Sequence, residues 1–252
     1  DPEFLKWSQR IIIPITGFRH GSLQVYAPES TMELDTNAIM LSNHRSMLDI
    51  PVLSEASKLL GKDDVRPLAK KSLFGIPLLR GFCMKNGGIA VDRDSPDLDS
   101  LTMAQLTLLQ RGQSLFNFTE GTRVTHDVHN IAPLKAGALM IAALSGKPLI
   151  PFGIAGVAVE REQRDDGKKG NIISRDKCAP FGMQGNVVAV FGEPVYVGED
   201  LPVLTEAPER KQLVQYIRAA KANTEPVRSA LQEALDVAYI LREEPVSELW
   251  LP

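Results

Sequence analysis

Hydrophobic and polar positions follow two periods along this chain. Short apolar runs rich in β-branched and aromatic residues, at 21–26, 37–42, 66–70, 88–92, 114–118, 149–154 and 187–191, read as strands. Between them, 48–60, 73–82, 95–110 and 134–144 carry apolar residues at helical spacing. Gly61 and Gly146 end two of these helices. Asp97 and Asp99 fall in the first turn of the third, where carboxylates suit the helix dipole. A further short strand is expected at 195–197, and a helix over 208–241 broken near Pro226. Strands alternating with helices predict an α/β fold: a single domain with a mixed, mostly parallel β-sheet flanked by helices.

The pattern also divides the chain. Residues 1–4, Asp1-Pro2-Glu3-Phe4, read as a cloning scar that replaces an upstream segment. Residues 5–19 form a short amphipathic N-terminal segment, with Leu5, Trp7, Ile11, Ile12, Ile13, Ile15 and Phe18 beside Lys6, Arg10 and Arg19. It suits either a membrane interface or a plain packing element. Residues 20–200 hold the alternating pattern and 201–252 form a C-terminal helical extension; the segment after Val195 is acidic and reads as a solvated helical tail. The glycine- and charge-rich stretch 156–185 reads as a mobile surface loop.

Composition narrows the function classes. At 252 residues the chain can bury a full core, and 44% hydrophobic with 23% charged residues is ordinary for a soluble globular protein. A net charge of −3 argues against nucleic-acid binding driven by phosphate neutralisation. Cys83 and Cys178 lack a second cysteine or a histidine at metal spacing, which points to a reducing compartment without a disulfide framework. No window reaches the ~18 apolar residues of a spanning helix, and no signal-peptide pattern is present. Charge is uneven, however. Residues 65–91 carry Arg66, Lys70, Lys71, Arg80 and Lys85 among Leu73, Phe74, Ile76, Leu78, Leu79 and Phe82, with no Asp or Glu. Such a stretch suits an anionic lipid or a membrane surface; the alternative is a buried helix with solvated ends.

Two motifs carry candidate chemistry. In Asn43-His44-Arg45-Ser46-Met47-Leu48-Asp49 a histidine and a carboxylate lie five apart. That is too far for one helical face, so the functional reading puts His44 in the turn and Asp49 in the first turn of the next helix, folding back to it. A carboxylate on one imidazole nitrogen fixes the tautomer and leaves the other nitrogen to take a proton. The alternative is a capping histidine with a surface Asp49. Asn43, Arg45 and Ser46 are expected to shape the pocket, and backbone N–H groups at 43–46 are expected to receive an oxyanion. In Phe118-Thr119-Glu120-Gly121-Thr122-Arg123 a strand ends at a glycine turn before an arginine whose planar fork suits phosphate. Glu120 is expected to hold that fork or to bind an acceptor hydroxyl; a surface turn with an ion pair is the alternative. Arg93, after the strand at 88–92, and Lys135, at the start of a helix, supply further cations. His126 and His129 lie three apart without a third ligand, so a metal site is not expected. Ser46 lacks the Gly-x-Ser-x-Gly setting of a hydrolase nucleophile.

Asn43-His44 with Asp49, Gly88-Ile89-Ala90-Val91-Asp92-Arg93, the Phe118–Arg123 motif and Lys147-Pro148-Leu149-Ile150-Pro151 stand in the order and approximate spacing of four sequence blocks. Over residues 20–195 the chain resembles the glycerolipid acyltransferases, and among them the 1-acylglycerol-3-phosphate acyltransferases. The resemblance implies a glycerol-3-phosphate acyltransferase-like α/β fold, a donor that is acyl-CoA or acyl-carrier protein, and a lysophospholipid acceptor hydroxyl beside a phosphate. It implies no metal or organic cofactor and a site on the cytoplasmic face of a membrane, held peripherally or monotopically. By the same resemblance His44 is the base and Asp49 its partner. Arg93, Glu120, Gly121, Thr122, Arg123 and Lys135 bind the acceptor phosphate, and Pro151 shapes the pocket. Thr119 departs from the family's usual proline, and Val124-Thr125-His126-Asp127 departs from its serine-arginine run. Other acceptors, acyl-CoA hydrolysis and non-catalytic lipid binding are the rival readings.

Overall fold

The computed structural model describes residues 23–46, 49–62, 64–85, 87–92, 98–121, 123–124, 127–156, 187–206, 208–209 and 211–243. The expectations for 1–22, for a helix start at Ser95-Pro96 and for the loop beyond Gly156 lie outside these residues.

Seven strands form one sheet: β1 (Leu23–Tyr26), β2 (Ile39–Ser42), β3 (Val65–Lys70), β4 (Ile89–Val91), β5 (Ser114–Phe118), β6 (Leu149–Ala155) and β7 (Val187–Phe191), in the order β1-β7-β6-β2-β5-β3-β4. Strands β6, β2, β5, β3 and β4 are parallel; β7 pairs antiparallel with β6, and β1 follows β7. The sheet is thus mixed and mostly parallel, as the sequence predicts. Strand β2 at its centre is buried at every position, which is why it reads as a continuous apolar run rather than an alternation. Ile39 and Leu41 pack into a cluster shared with Leu101, Leu139, Leu231 and Leu235, while Met40 packs on the opposite face with Val52, Leu53, Phe116 and Phe152.

The helices are α1 (Glu29–Met32), α2 (Asp49–Leu59), α3 (Pro77–Lys85), α4 (Leu98–Gln110), α5 (Gly137–Ser145), α6 (Leu213–Ala222) and α7 (Thr224–Glu243). Three expected helical regions and one expected strand turn out differently. The single helix expected at 73–82 is a 3₁₀ turn, Lys71–Gly75, followed by α3. Pro77 forces Ile76 out of helical geometry, to φ −97° and ψ 116°, and then opens the new helix. Helix α5 starts at Gly137, so Lys135 precedes it. The strand expected at 195–197 is one bridge between Leu149 and Val195. The C-terminal break falls at Asn223; Pro226 sits in the first turn of α7, where no helical N–H is needed.

The C-terminal helices are not a solvated tail. Val227, Leu231, Ala234, Leu235 and Ala238 form one buried stripe of α7. The stripe lies against β6 and β7. At Gly153 of β6 a Cβ atom would meet the Ala234 carbonyl carbon and oxygen at 2.4 Å, so helix backbone rests directly on sheet backbone.

Candidate active site

Strands β2 and β5 are neighbours in register, Ser42 opposite Phe118. Their carboxyl ends therefore release the His44 and Glu120 turns side by side, where open α/β sheets place their sites. Asn43 fixes the first turn. Its side-chain amide accepts the Ile154 N–H at 2.8 Å and donates to the Ile154 carbonyl at 3.0 Å, continuing the β2–β6 ladder with a side chain. The Val124 N–H donates to the His44 carbonyl at 2.8 Å, tying the chain just beyond Arg123 to the same turn.

Asp49, the first residue of α2, folds back as expected. Its Oδ2 accepts His44 Nδ1–H at 2.8 Å, the Arg45 N–H at 2.7 Å and the Ser46 N–H at 2.8 Å. A carboxylate can only accept, so Nδ1 carries the proton and Nε2 is the basic nitrogen. Among the described residues Nε2 makes no hydrogen bond. The His44 side chain is 14% exposed and that of Asp49 is fully buried. The imidazole lies flat on the Phe118 ring, centroids 4.0 Å apart and planes 11° apart. The imidazole thus has a fixed tautomer, an aromatic floor and one nitrogen without a hydrogen bond among the described residues.

The Phe118–Arg123 segment turns at Gly121, whose φ of +75° favours glycine, and Gly121 N–H closes the turn on the Phe118 carbonyl at 3.0 Å. Glu120 points inward: its carboxylate pairs with Arg45, both side chains fully buried, rather than with Arg123. Arg123 and Lys135 are exposed. The aliphatic part of Lys135 runs past Gly121, where a Cβ would meet its Cγ at 3.4 Å. Arg93 and Thr122 lie outside the described residues. Among the described residues no group of three metal-binding side chains occurs.

An apolar cavity of about 190 Å³ is lined by Leu68, Val91, Leu101, Phe118, Met140 and Ile141, with Gly121 and Lys135 also on its wall; His44 does not line it. Phe118 is on the wall, yet its ring packs with Phe116 and Met40 on the sheet face opposite Leu68, Leu101 and Ile141, and there it stacks on His44. Pro151 is not among the lining residues: it is buried in β6, its ring against Gly192. The N–H groups of His44, Arg45 and Ser46 are likewise unavailable to an oxyanion, since Glu120 and Asp49 hold them.

Residues 22–155, more than half of the chain, match the family model described as Acyltransferase. The chain belongs to the acyltransferase family. This acyltransferase is 29% identical over 153 residues to the 1-acyl-sn-glycerol-3-phosphate acyltransferase of Bacillus subtilis (strain 168), covering 61% of the chain and 72% of that protein. It is 32% identical over 130 residues to the chloroplastic enzyme BAT2 of Brassica napus, which carries the same name, covering 51% of the chain and 36% of that protein. The Escherichia coli (strain K12) enzyme of that name is 31% identical over 121 residues, with 47% of each chain covered. The acyltransferase thus spans half or less of the length of the last two. Among solved structures, the 1-acyl-sn-glycerophosphate acyltransferase PlsC of Thermotoga maritima aligns with 92% of this chain and 82% of its own, at 22% identity and a TM-score of 0.49.

Two features were not legible in the sequence. The Glu120–Arg45 pair joins residues 75 apart. The Phe118 floor under His44 becomes visible only once β2 and β5 are paired.

Proposed function

We propose that this acyltransferase moves a fatty acyl group from an acyl thioester to the free hydroxyl of 1-acylglycerol-3-phosphate, giving phosphatidic acid. The observation that carries the reading is the His44–Asp49 pair at the carboxyl edge of the sheet, with Nδ1 held by a buried carboxylate and Nε2 left without a hydrogen bond among the described residues. The names of the relatives support the acceptor. His44 Nε2 takes the hydroxyl proton, and Asp49 balances the imidazolium that forms. The oxygen attacks the thioester carbonyl, the C–S bond breaks, and His44 returns the proton to the thiolate. The apolar cavity suits an alkyl chain. Arg123, Lys135 and Arg93 are the cations offered to the acceptor phosphate. The donor thiol is coenzyme A or acyl-carrier protein, and no other cofactor enters the reading.

The reaction is proposed to run at the cytoplasmic face of a membrane, with the protein held peripherally or monotopically. Among the described residues no helix is long and apolar enough to cross a membrane. Strand β3 ends, at the same edge of the sheet as His44, in exposed Lys70 and Lys71. Ile76 (49% exposed), Arg80, Met84 (60% exposed) and Lys85 follow on the 3₁₀ turn and α3. Exposed cations among exposed apolar side chains complement anionic headgroups over acyl chains. The test is thiol release from long-chain acyl-CoA, with and without lysophosphatidic acid in detergent micelles, beside His44→Ala. Acceptor-dependent release that His44→Ala abolishes, with phosphatidic acid formed, is expected. Release without acceptor would make the protein a hydrolase instead.

A further inference from the structure

Glu120 is spent inside the protein. Its Oε2 accepts the His44 backbone N–H at 2.9 Å and Arg45 Nη1–H at 2.6 Å, and its Oε1 accepts the Ala132 N–H at 2.9 Å. Arg45, 1% exposed, uses the rest of its fork on carbonyls: Nε to Val128 at 3.0 Å, Nη2 to Asn130 at 2.9 Å and Nη1 also to His44 at 3.3 Å. The pair staples three segments remote in sequence: the turn that carries His44, the turn after β5, and the 127–132 loop. Helix α7 holds that loop from outside, Gln232 accepting the Ile131 N–H and donating to the His129 carbonyl, both at 2.8 Å.

We propose that Glu120 and Arg45 are positioning residues for His44, and that Glu120 does not contact the acceptor phosphate. Both carboxylate oxygens already have donors, the side chain is fully buried, and a phosphate brought to it would meet like charge. What Glu120 does reach is the peptide N–H of the catalytic base itself. It fixes His44 from the backbone side while Asp49 fixes it through the ring, so that Nε2 has one place to be. A displacement of about 1 Å there costs roughly 10²-fold in rate. Phosphate recognition is left to the exposed Arg123 and Lys135.

The inference rests on the acyltransferase reading above, and its test separates the two. Glu120→Gln keeps the shape and removes the charge; Arg123→Ala serves as the phosphate-side comparison. Steady-state kinetics are measured against lysophosphatidic acid, with thermal melts and the ¹⁵N-resolved Nδ1–H signal of His44. Glu120→Gln is expected to lower kcat by roughly 10- to 100-fold, leave KM within about twofold, and weaken the Nδ1–H signal. Arg123→Ala is expected to raise KM. If Glu120→Gln does not melt cooperatively, Arg45→Lys carries the same expectations, since it keeps the charge but loses the fork. A raised KM with kcat retained in Glu120→Gln, or an Nδ1–H signal unaltered by either variant, would overturn the inference. If the wild-type protein does not turn over lysophosphatidic acid, the functional reading fails, and the Nδ1–H signal still decides the positioning role.

Discussion

Replacing Asp49 by asparagine or by alanine separates two contributions that the dyad combines. Oδ2 takes all three donors, while Oδ1 is buried and accepts no hydrogen bond among the described residues. Asparagine can therefore set its carbonyl oxygen where Oδ2 sits and its NH₂ where Oδ1 sits. His44, Arg45 and Ser46 each keep an acceptor, and Nδ1 keeps its proton. Only the charge opposite the imidazolium is lost. A hydrogen bond to a charged group is worth about 1.5–3 kcal/mol and a neutral one about 0.5–1.5. The difference, about 1–2 kcal/mol, lowers kcat roughly 5- to 30-fold. The buried NH₂ lacks an acceptor, which costs about 1–3 kcal/mol of stability.

Alanine removes the acceptor altogether. The imidazole loses its fixed tautomer and two buried N–H groups lose their partner. The rate loss then approaches that of removing a general base, roughly 10²–10⁴. The expected order of activity is wild type, Asp49→Asn, Asp49→Ala, with Asp49→Ala close to His44→Ala. Acceptor-dependent thiol release from acyl-CoA, run beside thermal melts, reads this order directly. An Asp49→Asn variant as slow as His44→Ala would refute the claim that one oxygen does the orienting. An active Asp49→Ala would remove the dyad from the mechanism.

Four further substitutions or probes test the surroundings. Phe118→Leu removes the ring stacked under His44 at 4.0 Å; a contribution of about 0.5–1.5 kcal/mol predicts a roughly 2- to 10-fold fall in kcat, and an unchanged kcat would show the floor is dispensable. Gly153→Ala drives a methyl group into the Ala234 backbone of α7, so differential scanning calorimetry is expected to show Tm lower by roughly 2–10 °C, with no shift counting against α7 seated on β6. Thr119 is fully buried and its Oγ1 has no hydrogen-bond partner among the described residues; Thr119→Val is expected to raise the urea midpoint, by an amount reflecting the about 1–3 kcal/mol cost of an orphan hydroxyl, and a lowered midpoint would mean the hydroxyl has work to do. Burial pushes the Cys83 thiol above its usual range, so iodoacetamide is expected to modify Cys83 slowly in the native protein and quickly in urea; equal rates would contradict its burial.

What could be read from the sequence follows a physical division. Strands β5 and β7 match their expected bounds because period and propensity are local properties of the chain. The fold-back of Asp49 onto His44 was legible too, since five residues leave a turn few other geometries. The positive φ at Gly121 follows from local steric rules in the same way. Charge alone misleads about 201–252, where Glu225, Glu233 and Asp236 lie on the exposed side of α7 and its other side is buried. The periodic stripe from Val227 to Ala238 decides against a solvated tail, yet it names no partner; Gly153, the residue that admits α7 to the sheet, looks in the sequence like a mere weakness in a strand.

Glu120 shows where local reading stops. Beside Gly121 and Arg123 it looks like part of a clamp, because its neighbours in sequence are a turn and a cation. Its partner in space is Arg45, a residue that in its own motif looks incidental. Nothing in either motif encodes that pairing; it arises because β2 and β5 lie side by side and end together. The parallel sheet thus does more than carry two motifs to one edge. It turns a carboxylate and a guanidinium from separate motifs into one buried brace behind His44, while Arg123 and Lys135 stay exposed.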